Sequence, residues 1–378
     1  MFSPFVKFVR SIYQTEEFIP LHEPKFQGNE KKYVNDAIDS TFVSSVGEYV
    51  NRFEREFASK VGAKYAVATV NGTSALHLAL LNSGVGMGDE VITQPLTFVA
   101  TCNAISYCGA VPTFVDVDKE TLGMSPESLK KFIKANCVGE NGELVNKHTG
   151  RVIRSVLPMH TFGHPCRIKE IAEICDDYNL HLIEDCAESL GSSYEDTHTG
   201  NFGYVAAFSF NGNKVMTTGG GGMLVTFDEE TAINLKHMST TGKVPHKWEF
   251  NHDRLAFNYR MPNLNAALGC AQLENLDNFL ISKRKLADRY KEFCDVSDIQ
   301  FLSEPDSCKS NYWLNTIILK SEDEQQEFLK YTNENGVMTR PVWKLMYKLP
   351  MFSKAYRSDC SVAEELEKTV VNVPSSVI

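Results

Sequence analysis

Three short stretches of the chain combine residue types that chemistry can use. Val70-Asn71-Gly72-Thr73-Ser74-Ala75-Leu76 sets a glycine and two hydroxyl residues between an apolar run and a helical pattern. Free amides and the dipole at a helix start favour an anion, and hydroxyls add donors. The same residues also suit a plain N-cap by Thr73 or Ser74. Leu182-Ile183-Glu184-Asp185-Cys186-Ala187-Glu188 puts an acid just past an apolar strand, where α/β sheets bind ligands. Its alternative is a capping box, with Asp185 as cap and Glu188 reaching back. Phe208-Ser209-Phe210-Asn211-Gly212-Asn213-Lys214 is followed closely by glycines 219 to 222. Alone, that lysine reads as a solvated loop residue beside a tight turn between strands.

The three stretches say more jointly than singly. Pyridoxal phosphate (PLP) needs a lysine for its Schiff base, a carboxylate that keeps the pyridine nitrogen protonated, and an anion cradle for its phosphate. The protonated ring draws electrons from the carbanion left when a substrate α-proton departs, and the freed lysine can shuttle that proton. The chain offers the cradle, the acid and the lysine in that order, each where a strand meets a loop.

The elements that must position these groups follow an α/β pattern. Strands are expected at 65–70, 90–93, 113–117, 154–159 and 180–183, with helices at 74–81, 98–107 and 168–178. Such alternation predicts a mainly parallel, mixed sheet. Residues 206–210 and 223–227 flank the glycine-rich turn like a hairpin. Two polar stretches, 138–150 and 236–256, read as a surface excursion and a functional loop. After Met261-Pro262-Asn263 the pattern changes to a long helix and shorter mixed elements. The expected division is an N-terminal arm (1–40) packing near a small domain, a large PLP-binding domain (41–260), and a smaller C-terminal α+β domain (261–378).

Composition narrows the classes. Of 378 residues, 43% are apolar and the formal net charge is −10, with no basic block, which argues against nucleic acid or an anionic membrane as main partner. Phe2, Phe5, Val9 and Ile12 recur at helical spacing and suggest a short amphipathic arm that packs on the body or on a second subunit. No signal peptide or spanning segment is evident. Ten cysteines without a C-x-x-C pair, several in apolar segments, read as free thiols of a cytoplasmic protein. His160, His164 and Cys166 lack a second ligand pair, so no metal is expected. Gly84, Gly86 and Gly88 precede a strand rather than a helix, which rejects a dinucleotide fingerprint.

Over residues 17 to 378 the chain resembles the DegT/StrS-type sugar-nucleotide aminotransferases of PLP fold type I. The matching stretches are 71–76, 88–92, 97–101, 184–188, 209–222 and 257–261. The resemblance implies that Lys214 carries PLP and Asp185 pairs with its pyridine nitrogen. It implies that Gly72, Thr73, Ser74 and Ser209 cradle the phosphate and that Phe98 stacks on the ring. Glu188, where the family often has Gln, would lie near the ring hydroxyl. Asn258 would reach the neighbouring subunit's cofactor phosphate, implying a homodimer with shared sites. Residues 159–165 and 339–345 look most like the C4 aminotransferases of the legionaminic-acid branch. Those take glutamate as donor and a UDP-linked 4-keto-6-deoxy-N-acetylhexosamine as acceptor, in bacterial surface-glycan (nonulosonic acid) synthesis. His160, Asn213 and Arg340 are then candidates for substrate contact or for structural roles. Arg340 would clamp either a diphosphate or the donor carboxylate. A GDP- or dTDP-linked keto sugar, amination at C3, and an idle nucleotide-sugar-binding regulator are the competing readings. Relatives that dehydrate sugars have histidine in place of the lysine, which Lys214 weighs against.

Overall fold

A computed structural model describes residues 2–378. Its largest sheet has nine strands. Seven form one path: β1 (Tyr65–Thr69), β2 (Glu90–Thr93), β3 (Val111–Phe114), β4 (Val152–Leu157), β5 (His181–Asp185), β6 (Val205–Ser209) and β7 (Gly222–Thr226). Their spatial order is β1-β7-β6-β5-β4-β2-β3. Pairing from β3 through β6 is parallel, and β7 runs antiparallel to both β6 and β1. Parallel strands are covered by helices on both faces, which explains their nearly unbroken apolar runs.

The alternation read from the sequence therefore holds, with boundaries shifted by up to three residues. Three expectations need correction, two of them in the polar stretches. Residues 138–150 are mostly a β-hairpin, Cys137–Glu140 with Glu143–Asn146, joined to β4, and not an irregular excursion. Each strand has only four residues and neither alternates in burial, which hid the strand signal, while Asn146 Nδ2 donates to buried Glu90 at 2.8 Å. Residues 236–239 end a helix, Glu229–Ser239, capped by Asp228. The rest of that stretch folds back through bridges Thr240–Asn258 and Lys243–His252.

The helix after β1, Gly72–Asn82, is buried on nearly all sides. Apolar residues around its whole circumference suit a helix wedged between sheet and other helices. The expected long helix beyond residue 263 is two helices, Asn263–Glu274 and Leu276–Asp295, broken at Asn275. Beyond them lies an antiparallel sheet in the order Gln300–Phe301, Asn315–Ile318, Val370–Val373, Arg340–Pro341. The N-terminal helix Ser3–Tyr13 buries Phe5, Val6, Val9 and Ile12. Phe5 meets Phe328 at 4.9 Å between centroids, and Phe8 stacks on Phe293 at 4.4 Å. The arm thus packs on the C-terminal elements. All ten cysteines are buried and free, and no helix of the described residues is long and apolar enough to cross a membrane.

Candidate active site

The carboxyl ends of β1, β5 and β6 open on one cavity of about 330 Å³. It brings together Gly72, Thr73, Phe98, Asp185, Glu188, Ser209, Asn213 and Lys214. Parallel strands share a direction, so loops leaving their ends converge at one edge of the sheet.

The cradle is built from two chain segments pressed together. Asn71 is the N-cap of helix Gly72–Asn82, its Oδ1 accepting from the Ser74 amide at 2.8 Å; the cap is thus neither Thr73 nor Ser74. Amides of the first helical turn have no intrahelical acceptor, and those of Gly72 and Thr73 sit at the cavity wall. A Cβ on Gly222 would stand 2.5 Å from the Asn71 carbonyl oxygen, and one on Gly72 2.8 Å from Ser209 Cβ. Glycine at both positions lets the turn after β1 lie against the β6–β7 hairpin. This narrow, positive-ended cup beside the Ser209 and Thr73 hydroxyls fits a phosphate. Ser74 itself is buried and lines no part of the cavity.

Asp185 is 2% exposed and is fixed by the Thr101 hydroxyl at 2.8 Å and the Ala187 amide at 3.1 Å. No helix follows it, so the capping-box reading fails; Glu188 turns instead toward the cavity. Burial pushes the Asp185 carboxyl up, while the two donors and Lys214 pull it down. Such a carboxylate suits a protonated pyridine nitrogen, which would supply the missing counter-charge. Glu188 accepts from the Phe162 amide at 2.9 Å, and its Oε1 lies 3.5 Å from Lys214 Nζ. Burial pushes its pKa up to about 7, against the pull of Lys214.

The structure places two of the substrate candidates outside this cavity. His160 is fully buried outside the cavity. Its Nδ1 faces the Cys166 amide at 3.2 Å and its Nε2 faces Glu184 Oε2 at 3.2 Å. Glu184 also accepts from the amides of Gly200, Phe202 and Gly203. His160, Glu184 and Cys186 converge within 4.8 Å, but the carboxylate's four acceptor sites are already taken, so the cluster reads as a structural network. His164 is buried against Tyr312 at 5.3 Å between ring centroids. Arg340 sits exposed on an edge strand, paired with Asn372 and directed to Thr339 and Asn333. Asn258 is also outside this cavity, its Oδ1 accepting from Arg260 at 3.0 Å.

Thr101, Met159, Trp313 and Trp343 are among the lining residues that escaped assignment. Thr101 lies in the first turn of helix Val99–Tyr107, three residues after its N-cap Phe98. Trp313 and Trp343 come from the C-terminal elements, and no local pattern links them to Lys214.

The fold and this convergence suit a PLP-dependent aminotransferase. Residues 24–377 match the DegT/DnrJ/EryC1/StrS aminotransferase family, and the chain belongs to it. It is 39% identical over 359 residues to the GDP-perosamine synthase of Escherichia coli O157:H7, covering 95% of this chain and 93% of that protein. It is 36% identical to the putative PLP-dependent aminotransferase EpsN of Bacillus subtilis, covering 94% and 90%. Among solved structures, the aminotransferase TlmJ of Streptoalloteichus hindustanus superposes with a TM-score of 0.86 at 24% identity, covering 95% and 93%. Helicobacter pylori PseC, an aminotransferase of pseudoaminic acid biosynthesis, gives 0.85 at 22%, covering 95% and 94%. At those identities the two structures speak for the fold.

Proposed function

We propose that this enzyme moves an amino group from glutamate to the C4 ketone of a nucleotide-linked 4-keto-6-deoxyhexose, with Lys214 as the cofactor-bearing lysine. The observation that carries the reading is the meeting of Lys214, Asp185 and the Asn71–Thr73 cradle in one cavity. Bound PLP supplies the electron sink that makes a substrate α-proton removable. The chain's own groups do the rest. The first-turn amides and Ser209 would hold the phosphate, Asp185 would keep the ring nitrogen charged, and Phe98 would pack against the ring. Lys214 Nζ takes the proton from one carbon and returns it to another. The two halves share one site, so donor and acceptor bind in turn, giving ping-pong kinetics.

For the sugar, the resemblance of residues 159–165 and 339–345 to the legionaminic-acid branch supports a UDP-linked N-acetyl sugar. The names of relatives such as the Escherichia coli and Vibrio cholerae GDP-perosamine synthases support a GDP-linked one equally well or better. Incubating the enzyme with glutamate and UDP-, GDP- or dTDP-linked 4-keto sugars, read by mass spectrometry, separates them. Amination of the GDP-linked sugar alone would replace the first reading by the second. The site itself is tested by absorbance: PLP-loaded protein should show a visible band that Lys214→Ala abolishes.

A second copy of the chain would complete the site. Asn258 lies outside its own cavity, beside a segment with Trp248 73%, Phe250 78% and Leu255 93% exposed. Large apolar side chains left bare in this way suit burial against a partner, with Asn258 reaching the partner's phosphate.

A further inference from the structure

One wall of the cavity belongs to neither the cradle nor the acids. Lys214 Nζ lies 3.9 Å from the centroid of the Trp313 ring, with Glu188 Oε1 at 3.5 Å. An indole face attracts an ammonium electrostatically, and it offers an amine engaged elsewhere much less. Trp313 is held on three sides. Its Nε1–H donates to the carbonyl of Asn213, the lysine's neighbour in sequence, at 2.7 Å. Its amide donates to Asn311 Oδ1 at 2.7 Å, and Asn311 Nδ2 donates to the carbonyls of Glu188 and Leu190. Its carbonyl accepts from Lys283 Nζ at 3.1 Å, and the same ammonium donates to the Ser375 carbonyl at 2.6 Å.

Lys283 is the unusual member. It is fully buried on helix Leu276–Asp295, and among the described residues no carboxylate forms an ion pair with it. A buried ammonium without a counter-charge is costly, and burial lowers its pKa to about 7. A methionine of similar length would pack there without that cost, so its hydrogen bonds call for a purpose beyond filling space.

We infer that Trp313 is a positioning residue for Lys214: its ring face parks the lysine ammonium beside Glu188 whenever the lysine is free of the cofactor, and Lys283 and Asn311 hold that ring in place. The inference rests on Lys214 being the cofactor-bearing lysine, as proposed above. A free lysine has some of the largest side-chain entropy of any residue. A fixed resting place keeps Nζ within reach of both carbons between which the proton moves, and shortens the search for the cofactor at the end of each cycle.

The test is single-turnover kinetics with glutamate on PLP-loaded protein. Trp313→Leu should lower the maximal rate about tenfold or more, with half-saturation within about twofold of the parent. Trp313→Phe keeps an aromatic face and should recover to within about threefold. Lys283→Met leaves the ring intact but unanchored, and should fall between them. Cofactor-free protein gives a second readout. Trp313→Leu should lower the Tm of the parent clearly more than that of Lys214→Met, because only the parent has an ammonium to lose. Equal Tm losses in both backgrounds, equal rates for the Leu and Phe variants, or a loss confined to half-saturation would overturn the inference. Should Trp313→Leu not fold, a Lys283→Met enzyme with parental rate overturns it alone. A parent protein with no Lys214-dependent visible band would instead overturn the site reading.

Discussion

Asp185 and Glu188 are two acids buried in one cavity, and their neighbours divide their labour. Asp185 receives a hydroxyl and an amide, and stands ready for a cationic ring. Glu188 has one amide and the more distant Lys214, and burial raises its pKa from 4.5 to about 7. The folded protein therefore holds this proton more tightly than the unfolded chain. Between roughly pH 4.5 and pH 7 that difference makes cofactor-free protein less stable as pH rises. Glu188→Gln should flatten the slope, removing about 1–3 kcal/mol of the change between pH 5 and pH 7. Denaturant unfolding at the two pH values measures this; a steeper slope in the variant would sink the argument. Residues of this kind were legible where a motif is contiguous, as with Asp185, Ser209 and Lys214. For His160 the sequence left a substrate contact and a structural role open, because a histidine in a family-like stretch looks the same whether it faces a cavity or a buried carboxylate.

At the scale of elements, the site depends on the turn after β1 lying flat against the β6–β7 hairpin. Gly222→Ala would press a methyl against the Asn71 carbonyl, 2.5 Å away, and force the cradle outward. PLP should then dissociate about tenfold more readily or worse, as read by equilibrium dialysis, since phosphate amides misplaced by a fraction of an ångström lose much of their hold. A Gly222→Ala protein with parental affinity would show that the cradle tolerates the shift. Asn71→Ala removes the helix cap and should cost about 1 kcal/mol of stability, measurable by denaturant titration. The parallel strands were readable because they are buried on both faces and run apolar throughout. The hairpin at 137–146 was not, because its four-residue strands do not alternate, one being exposed after Cys137 and the other buried after Glu143, so no period of two appears. The helix break at Asn275 was not readable either, since Asn is tolerated inside helices and only packing makes it an end.

At the scale of the whole molecule, the proposed shared site makes a sharp prediction. Neither Lys214→Ala nor Asn258→Ala should have much activity alone. Mixed and allowed to exchange subunits, the two should recover roughly a quarter of parental activity per active-site pair, because a hybrid dimer carries one intact site. No recovery, with exchange verified by mass, would argue against shared sites. The division of labour between distant elements is also where the sequence was least informative. Trp313 and Trp343 reach the cavity from beyond residue 300, and only the closing of the fold puts them beside residues 98 and 214.

The Lys283 ammonium ties the Trp313 carbonyl to that of Ser375, and the Ser375 amide in turn donates to the Leu21 carbonyl. Residues separated by more than 350 positions in the chain thus meet behind Lys214. During synthesis the large sheet can assemble long before that knot can be tied. Competence to retain the lysine in its working place is therefore acquired last, when the final strand docks. Refolding should show the same order: far-ultraviolet ellipticity returning first, and the visible PLP band only after a slower phase set by long-range closure.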